Sequence, residues 1–504
     1  LLIATLTMVS APAHGKTFVG APILESEGVQ SLNRSVTRTE LARDLFGEPY
    51  DTAVLGSIDV YDRFPYLESR WFQVVSDPAW DRLLVGEIGG SLAAHDGAAT
   101  PFGRLDGPRG LAADASGRLW VADTENHRVL AFDTRSEYGR IDLVPLFAVQ
   151  GLSRPFDVAF SDGGTPFVAG DDRIYVADTG ANRVVAFDVN DSGAREVASI
   201  GGLGSGPGRF GGPLAVTVGR SDGTSTRDVY VADSHSGRIV RLQDQGSRFA
   251  WMSETAQPGG VTSLDTDHWG AVYAASPSAG SITKYSADLL EVAALGGVER
   301  PRAFHVPFAN RTDHRTGRVV RAGQGSGLVV EEWTDASGIQ LVRLGVEVKD
   351  LAVQAEHGVR AEFVTTDHAA LSAEVVEAAT GRIVFTRDLG TRGAGRQSIE
   401  LPDADLAALA TGDHLLRVSA SSGYSGIEPG RAEAGFPWTA GVSALPRSAS
   451  VVSIEPNPFG GAAHIRFAVP AGERRSFTLR VYDVSGRLVR VVDEGEAQPG
   501  VHVR

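Results

Sequence analysis

An all-β chain built on a six-bladed β-propeller is predicted by three observations. The stretch GRLWVADTENHRVLAFD (Gly117–Asp133) returns as DRIYVADTGANRVVAFD (Asp172–Asp188) and RDVYVADSHSGRIVRLQ (Arg227–Gln243). In each copy an alternating apolar run ends on Asp, breaks over a short polar turn and resumes at Arg, the pattern of a β-hairpin. Fainter copies at Trp71–Glu87, Gly270–Ser286 and Gly327–Arg343 bring the number to six, and a repeat of this length signals a propeller or solenoid. The third observation is spacing. Residues at position seven (Asp77, Asp123, Asp178, Asp233, Ser276 and Trp333) lie 46, 55, 55, 43 and 57 residues apart. A four-stranded blade takes about 40–45, and the surplus falls in polar, Gly-rich breaks at Ser161–Asp172, Gly219–Asp228 and Asn310–Gly325.

Composition agrees with many short strands. The 504 residues exceed what one core serves, so several domains are expected. Sixty glycines without a collagen period point to tight turns. There is no cysteine, hence no disulfide and no thiolate metal site. A net charge of -15 argues against binding nucleic acid or an anionic membrane surface.

In chain order, residues 1–13 read as part of a signal peptide. Leu1–Val9 has the length of an apolar core, and Ala11 and Ala13 are small residues placed for cleavage. Residues 14–57 form a weakly patterned lead-in with a helical turn at Thr39–Phe46. The propeller is expected over 58–345, with Val54–Val60 as the strand that closes the ring. Each hairpin follows a Gly- or Pro-led apolar strand, as in GPRGLAAD, RPFDVAF, GPLAVTV and PGGVTSLD. Residues 346–420 read as an immunoglobulin-like β-sandwich with a helical turn at Asp403–Ala410, 421–450 as a Ser/Gly/Pro/Ala linker, and 451–504 as an incomplete C-terminal β-sandwich.

The Gly/Pro-led strand, the VAD-x-x-N-x-R-V core with Asn126-His127-Arg128, and the trailing Gly-Gly resemble the NHL repeat. The resemblance implies a six-bladed propeller with its ligand site over the central channel. The C-terminal segment resembles the sorting-type domain of bacterial secreted and surface proteins, related to the immunoglobulin-like domain of the flagellar hook-capping protein. It does so at Asn457-Pro458-Phe459, Ile465, Phe467, Val469-Pro470, Val481-Tyr482-Asp483, Gly486-Arg487-Leu488-Val489 and Pro499-Gly500. This implies export and attachment to an outer surface.

Channel-face candidates are Arg109, Phe156, Asp157, Leu214 and His305, together with Val261 and Phe304. A zinc-dependent relative of the NHL type, the peptidyl-hydroxyglycine amidating lyase, holds its metal with histidines from several such strands. Here Arg109, Phe156, Leu214, Gly259 and Arg302 stand at the matching places, with only His305 nearby, so three convergent imidazoles are missing. No cofactor is expected, with calcium or zinc left open.

The Asp and Arg of the repeat occur together in four copies: Asp77 with Arg82, Asp123 with Arg128, Asp178 with Arg183, and Asp233 with Arg238. In the other two copies both are lost, to Ser276 and Ser281 in one and to Trp333 and Gly338 in the other. Joint loss marks a cross-strand ion pair with a structural role. His127 and His235 lie in hairpin turns, and His268-Trp269 in a strand connection. Gly201–Gly212 lacks the Gly-Lys-Ser/Thr ending of a phosphate loop and leads into a strand. The chain is therefore expected to be a secreted or cell-surface propeller that binds an extracellular protein, peptide or glycan. The alternative is a secreted metal-dependent lactonase, lyase or hydrolase on the same scaffold.

Overall fold

The computed structural model describes residues 50–60, 67–87, 92–114, 118–137, 140–163, 170–190, 192–219, 227–257, 259–266, 270–296, 301–305, 320–323, 327–329, 346–355, 358–421, 429–439, 450–455, 464–469, 475–482, 488–497 and 500–503. Five antiparallel sheets of four strands and a sixth with three described strands follow one another, each taking its strands in chain order. Their first strands are Thr52–Val60, Pro108–Ala113, Pro155–Ser161, Pro213–Val218, Ser263–Thr266 and Pro301–His305. Each first strand lies beside the first strand of the next sheet, and the sixth returns to the first. Six sheets whose leading strands neighbour one another in a closed cycle form a six-bladed β-propeller around a central channel.

The repeat makes this arrangement by burying both faces of its strands. In RLWVAD (Arg118–Asp123) every residue is buried. Leu119 and Val121 pack with Phe72, Val74 and Leu83 of blade one, while Trp120 packs with Ile174 and Val176 of blade three. Alternation sends successive side chains to opposite faces, so one strand supplies both inter-blade cores. The hairpin turn is equally regular. Its last residue is left-handed in blades one to five: Asp81 (φ 51), His127 (φ 56), Asn182 (φ 54), Gly237 (φ 65) and Gly280 (φ 59).

Three expectations change. The first blade begins at Thr52, ahead of residue 58, and Val54–Val60 belongs to that blade's innermost strand. No blade among the described residues borrows a strand from the far end of the chain; the ring closes by packing of blade six against blade one. The lead-in therefore ends earlier than composition suggested, because this strand lacks the Gly/Pro start seen elsewhere. In blade six, Gly327–Val329 pairs with Val320–Gly323 as the third strand. The hairpin read at Gly327–Arg343 is thus shifted by one strand, since Trp333 and Gly338 offer no Asp–Arg pair to fix the register; residues 330–345 lie outside the described residues.

The next domain is a β-sandwich of three and four strands, with Val348–Gln354, Val359–Thr365 and Gly395–Leu401 facing Ile383–Arg392, Ala369–Glu377, Gly412–Ser421 and Gly430–Trp438. Its core includes Phe363, Leu371, Leu401, Leu416 and Phe436. Gly430–Trp438 replaces part of the expected linker: it pairs with Gly412–Ser421 along its length. Its run of Gly and Ala looks like a linker by composition, but Phe436 is buried in the core. At Asp403–Ala410 a series of turns carries Leu406 and Leu409 into the core.

The sandwich touches blade five. Lys284, 1% exposed, places Nζ 2.8 Å from Oδ1 of Asp367. Lys349 Nζ donates to the Val292 carbonyl at 3.1 Å, and a Cβ on Gly395 would stand 2.9 Å from Cβ of Ser286. After the sandwich come two small sheets, one of Ser450–Glu455, His464–Val469 and Gly500–Val503, the other of Arg475–Tyr482 and Leu488–Ala497. No helix among the described residues is long and apolar enough to cross a membrane. Residues 1–49, with the signal-peptide segment, the lead-in and Thr39–Phe46, lie outside the described residues.

Candidate functional site

The register of the innermost strands builds the mouth of the channel. Pro108, Pro155 and Pro213 pair with Asp123, Asp178 and Asp233, and in each blade the register shifts just after the proline. Such an irregularity re-aims the following side chain. The residues so placed are Arg109, Phe156 and Leu214, while blade one presents Tyr50, two residues before its first strand.

Tyr50 and Phe156 meet edge to face, with ring centroids 6.5 Å apart. The Arg109 guanidinium lies 4.5 Å from the Phe156 centroid and 5.5 Å from that of Tyr50. Side chains from three consecutive blades thus converge. Beside them Arg154, itself left-handed at φ 50, holds Glu125 with two hydrogen bonds, Nη2 at 2.6 Å and Nε at 3.1 Å. Glu125 is 3.6 Å from Nη2 of Arg109. The Arg154 hydrogen bond, and more weakly the Arg154 and Arg109 charges, pull its carboxyl below the usual range. His127 accepts a hydrogen bond at Nδ1 from the Arg154 amide, at 3.0 Å.

Below the mouth, Asp51 and Asp157 cap backbone that the sheets leave open. Asp51 accepts from the Thr52 and Leu111 amides at 2.8 and 2.7 Å; Asp157 accepts from Val158 and Val216, both at 2.8 Å. Each carboxylate joins its own innermost strand to that of the following blade. Burial, and then the charge of Asp51, push the Asp157 carboxyl well above its ordinary range, against the pull of the two amides. A Cβ on Gly110 would fall 2.4 Å from Cα of Asp157, so only glycine lets these two strands approach.

Of the residues expected at the channel, Arg109 and Phe156 come together and Asp157 lies one residue deeper. Leu214 is half-buried on blade four. Val261, 1% exposed, is turned into the core between blades four and five and does not face the channel; Pro258 stands three residues ahead of it rather than one, as Pro108, Pro155 and Pro213 do before Arg109, Phe156 and Leu214, so the sequence aligned it with the wrong side chain. His305 and Phe304 lie on the first strand of blade six, and their side chains, like His268 and Trp269, fall outside the described residues. Tyr50, Glu125, Arg154 and Asp51 were missed. Tyr50 and Asp51 precede the first hairpin, and the other two are loop residues with no periodicity; only the Arg-Pro before Phe156 hinted at them. No group of three His, Asp or Glu among the described residues is placed to hold a metal ion.

The repeat's charged pairs each span the neck of a hairpin. Arg82 Nε reaches Oδ2 of Asp77 at 3.1 Å, and Arg128 Nε reaches Oδ2 of Asp123 at 2.7 Å. Arg183 Nε does the same to Asp178 at 2.7 Å, and Arg238 Nε to Asp233 at 3.1 Å. All four carboxylates are fully buried, whereas the arginines differ: the side chain of Arg238 is 8% exposed and that of Arg183 is 27% exposed. In blades two to four the other Asp oxygen accepts amides of the incoming loop: Asp106, Ser153, and both Gly211 and Gly212. The arginines donate to carbonyls of the same loops. Arg128 takes Phe102 and Arg104, Arg183 takes Gly151, and Arg238 takes Ser205 and Arg209. These pairs therefore clamp the loop that delivers each blade. Among the described residues, Arg128, Arg183 and Arg238 spend their donors on these loops and not on Tyr50, Arg109 or Phe156. The residue after the Asp adds a link to the next blade: Thr124 donates to the Pro155 carbonyl at 2.8 Å, Thr179 to Pro213 at 2.5 Å, and Ser234 to Val261. Pro78 and Pro277 occupy this position in blades one and five and have no hydroxyl to give.

The NHL repeat family is matched at residues 105–132, from the end of the loop into the second blade to the middle of that blade's third strand. No curated protein sequence matches the chain. Among solved structures, virginiamycin B lyase from Staphylococcus aureus is 12% identical with a TM-score of 0.36, over 56% of this chain and 93% of that one. A gluconolactonase from Xanthomonas campestris is 14% identical with a TM-score of 0.35, over 62% and 98%. The calcium-binding protein regucalcin from Agrobacterium tumefaciens is 15% identical with a TM-score of 0.33, over 54% and 83%. The chain carries an NHL repeat within an all-β, propeller-containing fold.

Proposed function

We propose that this chain is a secreted or cell-surface binding protein whose propeller recognises an extracellular protein, peptide or glycan at the channel mouth. The observation that carries the reading is the convergence of Tyr50, Arg109 and Phe156 from three blades. Aromatic faces around an oriented cation are the composition of a recognition surface. In this reading the sandwich is immunoglobulin-like, and the C-terminal segment serves export or surface attachment. Binding of the full chain to glycan and peptide arrays, with Phe156→Ala as the comparison, tests it. Retention of every signal by the variant overturns the mouth as the binding surface.

A second reading, a metal-dependent hydrolase or lyase, draws on Asp157 beneath the mouth, whose carboxyl burial and the charge of Asp51 push well above its ordinary range, the direction in which a general acid is tuned. Elemental analysis of the purified chain separates the two. A stoichiometric zinc or calcium that survives dialysis against chelator favours the enzyme, and its absence favours binding.

A further inference from the structure

We infer that the channel mouth takes a carboxylate, received by the fork of Arg109; this rests on the mouth being the binding surface. The Arg109 side chain is 19% exposed and makes no hydrogen bond within the described residues. Its Nε is buried without a partner, and its η nitrogens are the part left accessible. A guanidinium carries five donors, and leaving them unused in a largely buried place is costly unless something else fills them.

Its neighbours are already committed. Both oxygens of Glu125 are taken by Arg154, and the 3.6 Å separation from Arg109 is too long for a hydrogen bond. Both oxygens of Asp51 and of Asp157 accept backbone amides. At the rim two guanidiniums, Arg109 and Arg154, thus share the single carboxylate of Glu125, while Asp51 and Asp157 beneath them are occupied. The face of Arg109 is fixed by Phe156 and Tyr50, so its edge is aimed before any ligand arrives. A planar, pre-oriented fork with free donors matches a carboxylate in two-point fashion. The aromatic rings beside it suit a flat or CH-rich body on the same ligand.

Titration of the full chain at low salt with benzoate and galacturonate, each against its neutral counterpart, benzamide and galactose, tests the inference. Both acids, or one of them, should bind at least tenfold more tightly than the neutral partner. Arg109→Met should weaken the acid about 10- to 100-fold, as expected for a charged hydrogen bond, and leave the neutral compound unchanged. Arg109→Lys should fall between, keeping the charge but not the fork. An unchanged melting temperature confirms that the variants fold, and Arg109→Lys carries the test if the Met variant does not. A preference for benzoate or for galacturonate identifies an aromatic acid or a uronic acid as the source. If acid and neutral compounds bind equally, are indifferent to Arg109 and weaken with Phe156→Ala, the mouth reading stands and the carboxylate is refuted. If nothing binds at millimolar concentration, or neither Arg109→Met nor Phe156→Ala changes binding, both fall.

Discussion

Removal of Asp367 should loosen blade five more than removal of its partner. Lys284 is 1% exposed and Asp367 is 19% exposed, so the two ends of this ion pair are not equivalent. Without the carboxylate, an ammonium stays in the buried flank of the blade with the Asp367 countercharge gone. Breaking a buried pair in this way costs about 3–5 kcal/mol, and the lower figure suits a pair with one partly wet end. Lys284→Met instead puts an apolar chain of similar length in a buried place and leaves a carboxylate that reaches water, a change of about 1 kcal/mol or less by the same reasoning. A loss of about 3 kcal/mol raises the open population roughly 150-fold. Hydrogen exchange reads this strand by strand, which suits a chain of several domains that need not unfold as one. In Asp367→Ala, amides of Val272–Ser276 and Ser281–Tyr285 should exchange about 100-fold faster, while blades two and three keep their protection. Protection in blade five within threefold of the native chain, or a larger effect from Lys284→Met, would refute the argument.

Other outcomes follow from single residues. Asp123→Ala removes the acceptor for the Arg128 side chain, the Asn126 amide and the Asp106 N–H together; a loss of about 3 kcal/mol or more should appear as rapid proteolysis of the loop at 102–107. Asn182→Gly should stabilise blade three by a few tenths to about 1 kcal/mol, because its left-handed φ of 54 suits glycine, whereas Asn182→Val should cost more than that gain. Chemical denaturation of the two variants checks both signs. Asp172, raised to about 6 chiefly by burial, holds a proton in the folded chain that it sheds on unfolding between pH 4 and 6. Its contribution to stability thus falls as pH rises through 6. Asp172→Asn should gain on the native chain between pH 5 and 7.5 in melting temperature, and a pH-independent difference would contradict the assignment.

The propeller was legible because its repeat records both periods of the structure. Alternation within the strands recurs with little drift, and so does the pair at each turn, Asp123 with Arg128, Asp178 with Arg183 and Asp233 with Arg238. Where the pair is absent, as at Ser276 and Ser281, the hairpin was still visible, but at Trp333 and Gly338 the register was lost. Gly430–Trp438 was hidden for a different reason: small residues satisfy a strand whose outer face is exposed, and composition alone reads them as linker. The site was half legible. Arg109 and Phe156 could be found from the prolines that precede them, whereas Tyr50 belongs to a blade with no such marker. Glu125 and Arg154 meet only because two loops from different blades cross, a contact no local pattern encodes.

Because every described blade is assembled from consecutive strands, the order of synthesis is also an order of construction. A blade needs only its own few dozen residues to pair its strands, and its flank is covered as soon as the next one emerges. Hydroxyl links such as Thr124 to Pro155 point forward along the chain, so each finished blade offers a template to its successor. Only the seam between the first and sixth blades joins distant segments, and its loop-closure cost falls on the last step. Assembly should therefore proceed as a growing arc whose final event is circularisation.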